Sequence, residues 1–166
     1  MTGLDELEAA SARANQLWYI AHPVHPTAEE VDDRMRRLRG YVGGSPGDRE
    51  AREVMVEVIR ANLENAKSWL AWLTTRYPEV TFIAPWIAAI ESGADDDLVP
   101  EQRERGLRDC CRTVSVCCGI IHVGGRVSSG MLAEAAHADH VVDLTYLGRL
   151  PPEVDPVIGT DPRCDR

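Results

Sequence analysis

The chain alternates short apolar runs with longer segments of helical periodicity. Four runs are rich in β-branched and aromatic residues and are bounded by Pro or Gly: LWYIA (17–21), VTFIA (80–84), GIIHV (119–123) and VVDLT (141–145). Each run is continuous rather than alternating with polar residues, as expected for strands buried on both faces of a sheet. The runs therefore predict the strands of a mostly parallel sheet.

Helical patterns fill the segments between these runs. Residues 49–77 carry apolar side chains at near-helical spacing, and shorter helices are predicted at 28–39, from Pro100 to about Cys118, and from Ser129 to about Asp139. Strands that alternate with helices predict βαβ units with right-handed crossovers. The predicted fold class is α/β, a flavodoxin-like open parallel sheet of four or five strands with helices on both faces.

Length and composition predict the domain organisation. A chain of 166 residues that is 44% hydrophobic fits one domain, which we place at residues 1–150. GGSPGD (43–48) is the best candidate for a flexible lid or hinge. Residues 151–166 are rich in proline and are expected to be extended or disordered.

Charge and cysteine content exclude several classes of protein. The net charge is −9 and no basic stripe is present, which argues against a nucleic-acid polymer as partner but leaves a single nucleotide open. No apolar stretch is long enough to span a membrane, and the acidic start contains no signal-peptide region. Five cysteines, an odd number, favour a reducing, cytoplasmic location.

No motif indicates a cofactor. The four cysteines at positions 110, 111, 117 and 118 are spaced to share one apolar helical face, so we interpret them as core residues. His137 and His140 are either a metal pair or exposed residues at a helix end. Trp69 and Trp72 belong either to the core or to a subunit interface.

In an open parallel sheet, ligands bind beyond the carboxyl ends of the strands, where the strand order reverses. One loop at this edge, GGRVSSG (124–130), is a candidate phosphate or carboxylate cradle. Gly124 and Gly125 allow close backbone approach, Ser128 or Ser129 can cap the next helix, and its free amides attract an anion. Gly-rich turns of this kind also occur without a ligand.

Glu134 follows this loop by about one helical turn. Because helical side chains lean toward the N-terminus, its carboxylate would lie over Gly130 and face the crevice. It also lies off the apolar stripe that contains Met131 and Ala135, so a solvated surface position is equally consistent with the pattern. The residues alone leave both interpretations open.

The chain resembles the nucleoside 2-deoxyribosyltransferase-like superfamily, especially an uncharacterised branch frequent in phages and actinobacteria, and also the nucleoside monophosphate N-glycosidases. The resemblance covers roughly residues 17–145 and rests on WYIAHP (18–23), NLENAKSWLAWL (62–73), FIAPWI (82–87), ERGLRD (104–109) and CCGIIHVGGRVSSGMLAEAA (117–136). VSSGMLAE is the most specific of these motifs. The resemblance implies cleavage or transfer of the N-glycosidic bond of a nucleoside 5′-monophosphate or a deoxynucleoside.

The resemblance also implies roles for the matching residues. Glu134 would be the nucleophile at C1′ of the sugar, and Ser128 would contact the sugar or phosphate. Gly130 occupies the position typical of relatives that hydrolyse monophosphates. Asp109 would assist departure of the base, and Tyr19 would border the site. A homodimer is expected, because neighbouring subunits in the family commonly complete each other's sites.

Two departures from the family pattern favour an alternative. AHPVHP replaces the usual Ala-Gly-Pro, so His22 either contacts the phosphate or base, or fills that space and weakens catalysis. Cys118 replaces the usual aspartate before the third strand, and alignment back to Asp109 could require a shift of one residue. On a helical wheel Asp109 points away from Cys110, as a surface residue would. The alternative is a non-catalytic nucleotide-binding or sensor module.

Overall fold

A computed structural model of the chain describes residues 2–12, 16–39, 48–96 and 98–152. The predicted lid at 43–48 lies outside these ranges except for Asp48, and the predicted tail lies outside them from residue 153 onward. Within the described residues, no helix combines the length and the apolar character needed to cross a bilayer. The described elements, in chain order, are α1 (Gly3–Ser11), β1 (Gln16–Ala21), α2 (Ala28–Arg39), α3 (Asp48–Arg76), β2 (Val80–Ile83), α4 (Pro85–Glu91), α5 (Pro100–Val114), β3 (Gly119–His122), α6 (Ser129–Ala135), β4 (Val141–Asp143) and a 3-10 turn (Thr145–Leu147).

The four strands form one all-parallel sheet in the order β2-β1-β3-β4. Trp18 is in register with Phe82 of β2 on one side and with Gly119 of β3 on the other. The chain thus leaves β1 for one edge of the sheet and later returns to β1's other side. The prediction of an α/β, flavodoxin-like open parallel sheet is confirmed, with four strands.

Strand β1 is central and is buried on both faces. Trp18 and Ile20 enter one core cluster together with Trp69 and Trp72 of α3, whereas Tyr19 enters a second cluster to which α3, α4, α5 and α6 all contribute. Trp69 and Trp72 are 0% and 7% exposed, so both belong to the core. Because alternate residues of a strand point to opposite faces, a continuous apolar run supplies both clusters at once.

Helix ends and two short helices differ from the sequence prediction. Helix α5 ends at Val114 rather than near Cys118, since the amide of Cys118 already donates to the Leu17 carbonyl at 2.7 Å as the chain enters the sheet. Cys118 is consequently exposed, and the prediction of one shared cysteine face was wrong. Helix α6 ends at Ala135 rather than Asp139. Helices α1 and α4 were not predicted.

Candidate active site

A cavity of about 80 Å³ lies beyond the carboxyl ends of β1 and β3, where the strand order reverses. Its walls come from the loop after β1, from α4 and α5, and from the start of α6. The sheet rule used on the sequence therefore leads to an edge of the sheet that carries a cavity. Pockets that enclose a small-molecule ligand hold roughly 300 Å³ or more, so a nucleotide would be only partly enclosed here.

Glu134 lies in this cavity and is only 8% exposed. The hydroxyl of Tyr19, itself fully buried, donates to Oε1 of Glu134 at 3.2 Å. Burial raises the pKa of Glu134 to about 7, against the opposing effects of hydrogen bonds from Tyr19 and Cys110 and the positive charge of Arg103. The interpretation of Glu134 as a solvated surface residue is wrong.

The start of α6 positions Glu134. Ser128 caps this helix, its Oγ accepting a hydrogen bond from the Met131 amide at 3.3 Å. Ser128 and Gly130 both line the cavity, whereas Ser129 is exposed and does not. A Cβ added to Gly130 would meet no atom closer than 3.8 Å, so packing does not require a glycine there.

Helix α5 supplies the opposite wall of the cavity. Arg103, Gly106 and Cys110 line it at helical spacing. Burial raises the pKa of the Cys110 thiol to about 12, and the charge of Glu134 also raises it. The thiol therefore keeps its proton at neutral pH.

Asp109 does not line the Glu134 cavity. Its side chain is 59% exposed, and Oδ1 pairs with Arg112 Nη1 at 3.4 Å. It borders a neighbouring cavity of about 460 Å³ that shares Asp95, Gly106 and other residues with the first. Asp109 and Glu134 are thus not brought together, as the helical wheel indicated.

His22 separates the Glu134 cavity from a second one of about 270 Å³, and it lines both. It is 6% exposed, and neither ring nitrogen makes a hydrogen bond within the described part of the chain. Burial lowers the pKa of His22 to about 4, and the positive charges of Arg149 and Arg126 lower it further. The imidazole is therefore neutral at physiological pH.

Gly124 and Gly125 line the second cavity rather than the Glu134 cavity. Both have positive φ, +90° and +81°, which side chains rarely adopt. A Cβ on Gly124 would lie 2.5 Å from Nε2 of His22. The absence of a side chain at Gly124 thus lets the backbone approach the His22 ring, where the sequence prediction placed a ligand.

Polar contacts fix the loop after β1. Arg126 Nη2 donates to the His25 carbonyl at 2.7 Å and to Glu30 Oε2 at 3.3 Å. Asn62 Nδ2 donates to the Val24 carbonyl at 2.9 Å. The loop is thereby tied to α2, to α3 and to the loop after β3, which holds His22 in place.

Several cavity residues escaped the sequence prediction. Arg103 and Cys110 lie on one face of α5, as their helical spacing indicates. The sequence alone does not show that this face lines the cavity, so the spacing becomes informative only once one residue of the cavity is known. Trp86 lies on the unpredicted α4 and donates from Nε1 to the Ile20 carbonyl at 2.9 Å. Asp95 belongs to the acidic run GADDDL (93–98), and charged runs of this kind are usually solvated loops.

The described residues contain no group of three or more His, Cys, Asp or Glu that could hold a metal ion. His140 instead contacts the Trp18 ring edge-on, with centroids 5.5 Å apart, and lies 3.5 Å from Glu6. What the cavity offers is a carboxyl group with a near-neutral pKa, a phenol that donates to it and a nearby guanidinium. Such a carboxylate can attack, or stabilise, a carbon that develops positive charge.

No family model matches the chain, and no curated protein or solved structure matches it significantly.

Proposed function

We propose that this protein cleaves or transfers the N-glycosidic bond of a nucleoside 5′-monophosphate or a deoxynucleoside, with Glu134 as the nucleophile at C1′. The observation that carries the proposal is the burial of Glu134 in a cavity at the strand ends, with its carboxyl group hydrogen-bonded to Tyr19. The resemblance to the nucleoside 2-deoxyribosyltransferase-like superfamily supplies the substrate class.

The geometry suits this chemistry. Breaking an N-glycosidic bond passes through an oxocarbenium-like state, which a carboxylate below C1′ stabilises or captures as a glycosyl-enzyme. With a pKa of about 7, a large fraction of Glu134 is ionised at neutral pH, and the Tyr19 hydroxyl orients one oxygen. Water or a second base would then release the sugar, which distinguishes a hydrolase from a transferase.

Arg103 supports an anionic ligand. Its Nη2 lies 3.9 Å from the position that a Cβ on Gly130 would occupy, next to the Ser128 cap. A guanidinium at this place adds positive charge beside the residues that the resemblance assigns to sugar or phosphate contact. We therefore favour the 5′-phosphorylated substrate over the free nucleoside.

The test is release of free base from a panel of nucleosides and their 5′-monophosphates, followed by chromatography. Glu134→Ala is expected to lower the rate at least about a thousand-fold, because the nucleophile is lost. Glu104→Ala, a change at an exposed glutamate of α5, is the matched control and should keep the wild-type rate. Equal base release by wild type and Glu134→Ala would contradict the proposal.

A nucleotide-binding or sensor module is the second candidate. The distance of Asp109 from the cavity and the packing of His22 against Gly124 favour it, since both weaken the catalytic pattern of the family. Calorimetry separates the two functions: nucleotide binding without base release from any member of the panel would establish the sensor.

A homodimer and a cytoplasmic location are further parts of the proposal. Both come from the sequence, the first from the resemblance and the second from the cysteine content. Analytical ultracentrifugation at micromolar concentration tests the dimer, and a sedimentation coefficient of a single chain would contradict it.

A further inference from the structure

Asp95 is the second carboxylate of the Glu134 cavity. Among the described residues that line it, Asp95 and Glu134 are the two that carry a carboxyl group. Oδ1 of Asp95 is buried from solvent, and the carboxylate lies against Gly106 of α5 so closely that a Cβ there would overlap Oδ2. Gly106 thus provides the space in the α5 wall that this carboxylate occupies.

Backbone contacts on both sides fix the turn that carries Asp95. Its amide donates to the Ala89 carbonyl of α4 at 3.0 Å. The next amide, of Asp96, donates to Oε1 of Gln102 in α5 at 2.9 Å. Arg105 of α5 also donates to the Ala94 carbonyl. The turn is therefore held between the two helices, and the Asp95 carboxylate has a defined place in the wall.

Cys110 connects the two carboxylates. Cys110 lines the same cavity as Glu134 and Asp95. With a pKa of about 12, Cys110 is a poor proton donor itself. Asp109, one position earlier on α5, points to solvent and to the neighbouring cavity. A second acid for this cavity must therefore come from another element.

We propose that Asp95, rather than Asp109, is the acid that protonates the departing base. This inference rests on the function proposed above. As the bond between C1′ and the base nitrogen breaks, a carboxylate oxygen of Glu134 bonds to C1′ and the carboxyl proton of Asp95 passes to the base. In hydrolysis, water then attacks C1′, gives one proton to the Asp95 carboxylate and frees Glu134. One nucleotide and one water yield one neutral free base and one sugar phosphate.

The test compares two leaving groups on one sugar. A purine or pyrimidine base leaves more easily when protonated, whereas 4-nitrophenolate leaves as an anion without a proton. Asp95→Asn is expected to slow base release about a hundred-fold or more and to leave cleavage of the 4-nitrophenyl glycoside within about three-fold of wild type. Asp109→Asn is the matched control and should stay within about two-fold on both substrates.

Gly106→Ala moves the same carboxylate without removing its charge. The added Cβ displaces Asp95 Oδ2, while alanine favours the helix more than glycine does, so circular dichroism should show a folded protein. We expect the same selective loss of base release as in Asp95→Asn, at about ten-fold or more.

The outcomes separate this inference from the proposed function. Equal losses on both substrates in Asp95→Asn, or the selective loss in Asp109→Asn instead, would overturn the role of Asp95 and leave the Glu134 reaction standing. If the wild-type protein releases base from no member of the panel, the proposed function falls and the role of Asp95 falls with it.

Discussion

Replacing Glu134 by glutamine is expected to change how the stability of the protein depends on pH. Burial raises the pKa of Glu134 from 4.5 to about 7, so the folded state holds this proton to a higher pH than the unfolded chain does. The stability that results is fully present below pH 4.5 and is lost as the pH rises through 7. At about 1.4 kcal/mol per pKa unit, the loss is on the order of 3 kcal/mol.

Glutamine carries no charge at any pH and can still accept the Tyr19 hydrogen bond. The stability of Glu134→Gln relative to wild type should therefore rise by about 2.5 kcal/mol between pH 5 and pH 8. Urea unfolding at pH 5, 6, 7 and 8 measures this difference. His22, whose pKa is lowered to about 4, has the opposite effect, since its contribution is lost as the pH falls from 6.5 toward 4. That effect is common to both proteins and cancels.

Glu104→Gln is the control for a general effect of removing one negative charge, because Glu104 is exposed. Its stability relative to wild type should change little over the same pH range. A stability difference for Glu134→Gln that is the same at pH 5 and at pH 8 would refute the reasoning. It would mean that the carboxyl group is solvated in the folded protein and that burial does not set its pKa.

Two other substitutions test the environment of the site, and a third is the control for one of them. In Tyr19→Phe the hydrogen bond that lowers the pKa of Glu134 is lost, so this pKa should rise. The pH at which kcat/KM rises should therefore increase by as much as about one unit. An unchanged pH profile would contradict a role for Glu134 as an ionised nucleophile. Gly124→Ala places a Cβ against the ring of His22 at φ +90° and should destabilise by about 2–4 kcal/mol in urea unfolding. Gly93 also has a positive φ, +71°, but a Cβ there would meet no atom within 4 Å, so Gly93→Ala should destabilise the protein by only about 1 kcal/mol. Equal losses of stability in the two variants would mean that the contact with His22 contributes nothing.

The central architecture was predictable because the two inner strands, β1 and β3, are buried on both faces. A run such as LWYIA must supply two clusters, and this requirement leaves a continuous apolar signature in the sequence. Helix α4 left no comparable signature, since a single residue separates it from β2 and it spans only Pro85–Glu91. The end of α5 was misplaced because a tertiary hydrogen bond, from Cys118 to Leu17, draws the chain into the sheet before the helical pattern stops.

The site was predictable in part. The sheet rule and the VSSGMLAE motif selected Glu134, and the resemblance placed Tyr19 at the border of the site. Nothing in the α6 pattern could show that Glu134 is buried, because α5, which lies against α6, contributes the covering wall. Asp95 was hidden for a similar reason: its placement depends on Gly106, which lies eleven positions further along the chain.

The two halves of the cavity differ in how easily a substitution can alter their shape, and strand β1 is the reason. The neighbours of Tyr19 in the strand, Trp18 and Ile20, are packed in the opposite cluster. A substitution or a ligand therefore cannot shift Tyr19 without disturbing the core on both faces of the sheet. The facing wall is built from a turn and one helix surface, where a few side chains around Asp95 decide the shape. Under the proposed function, new substrate preferences are therefore expected to arise in residues 92–110 while the position of Glu134 stays unchanged. Random libraries restricted to that segment are the place to look for them.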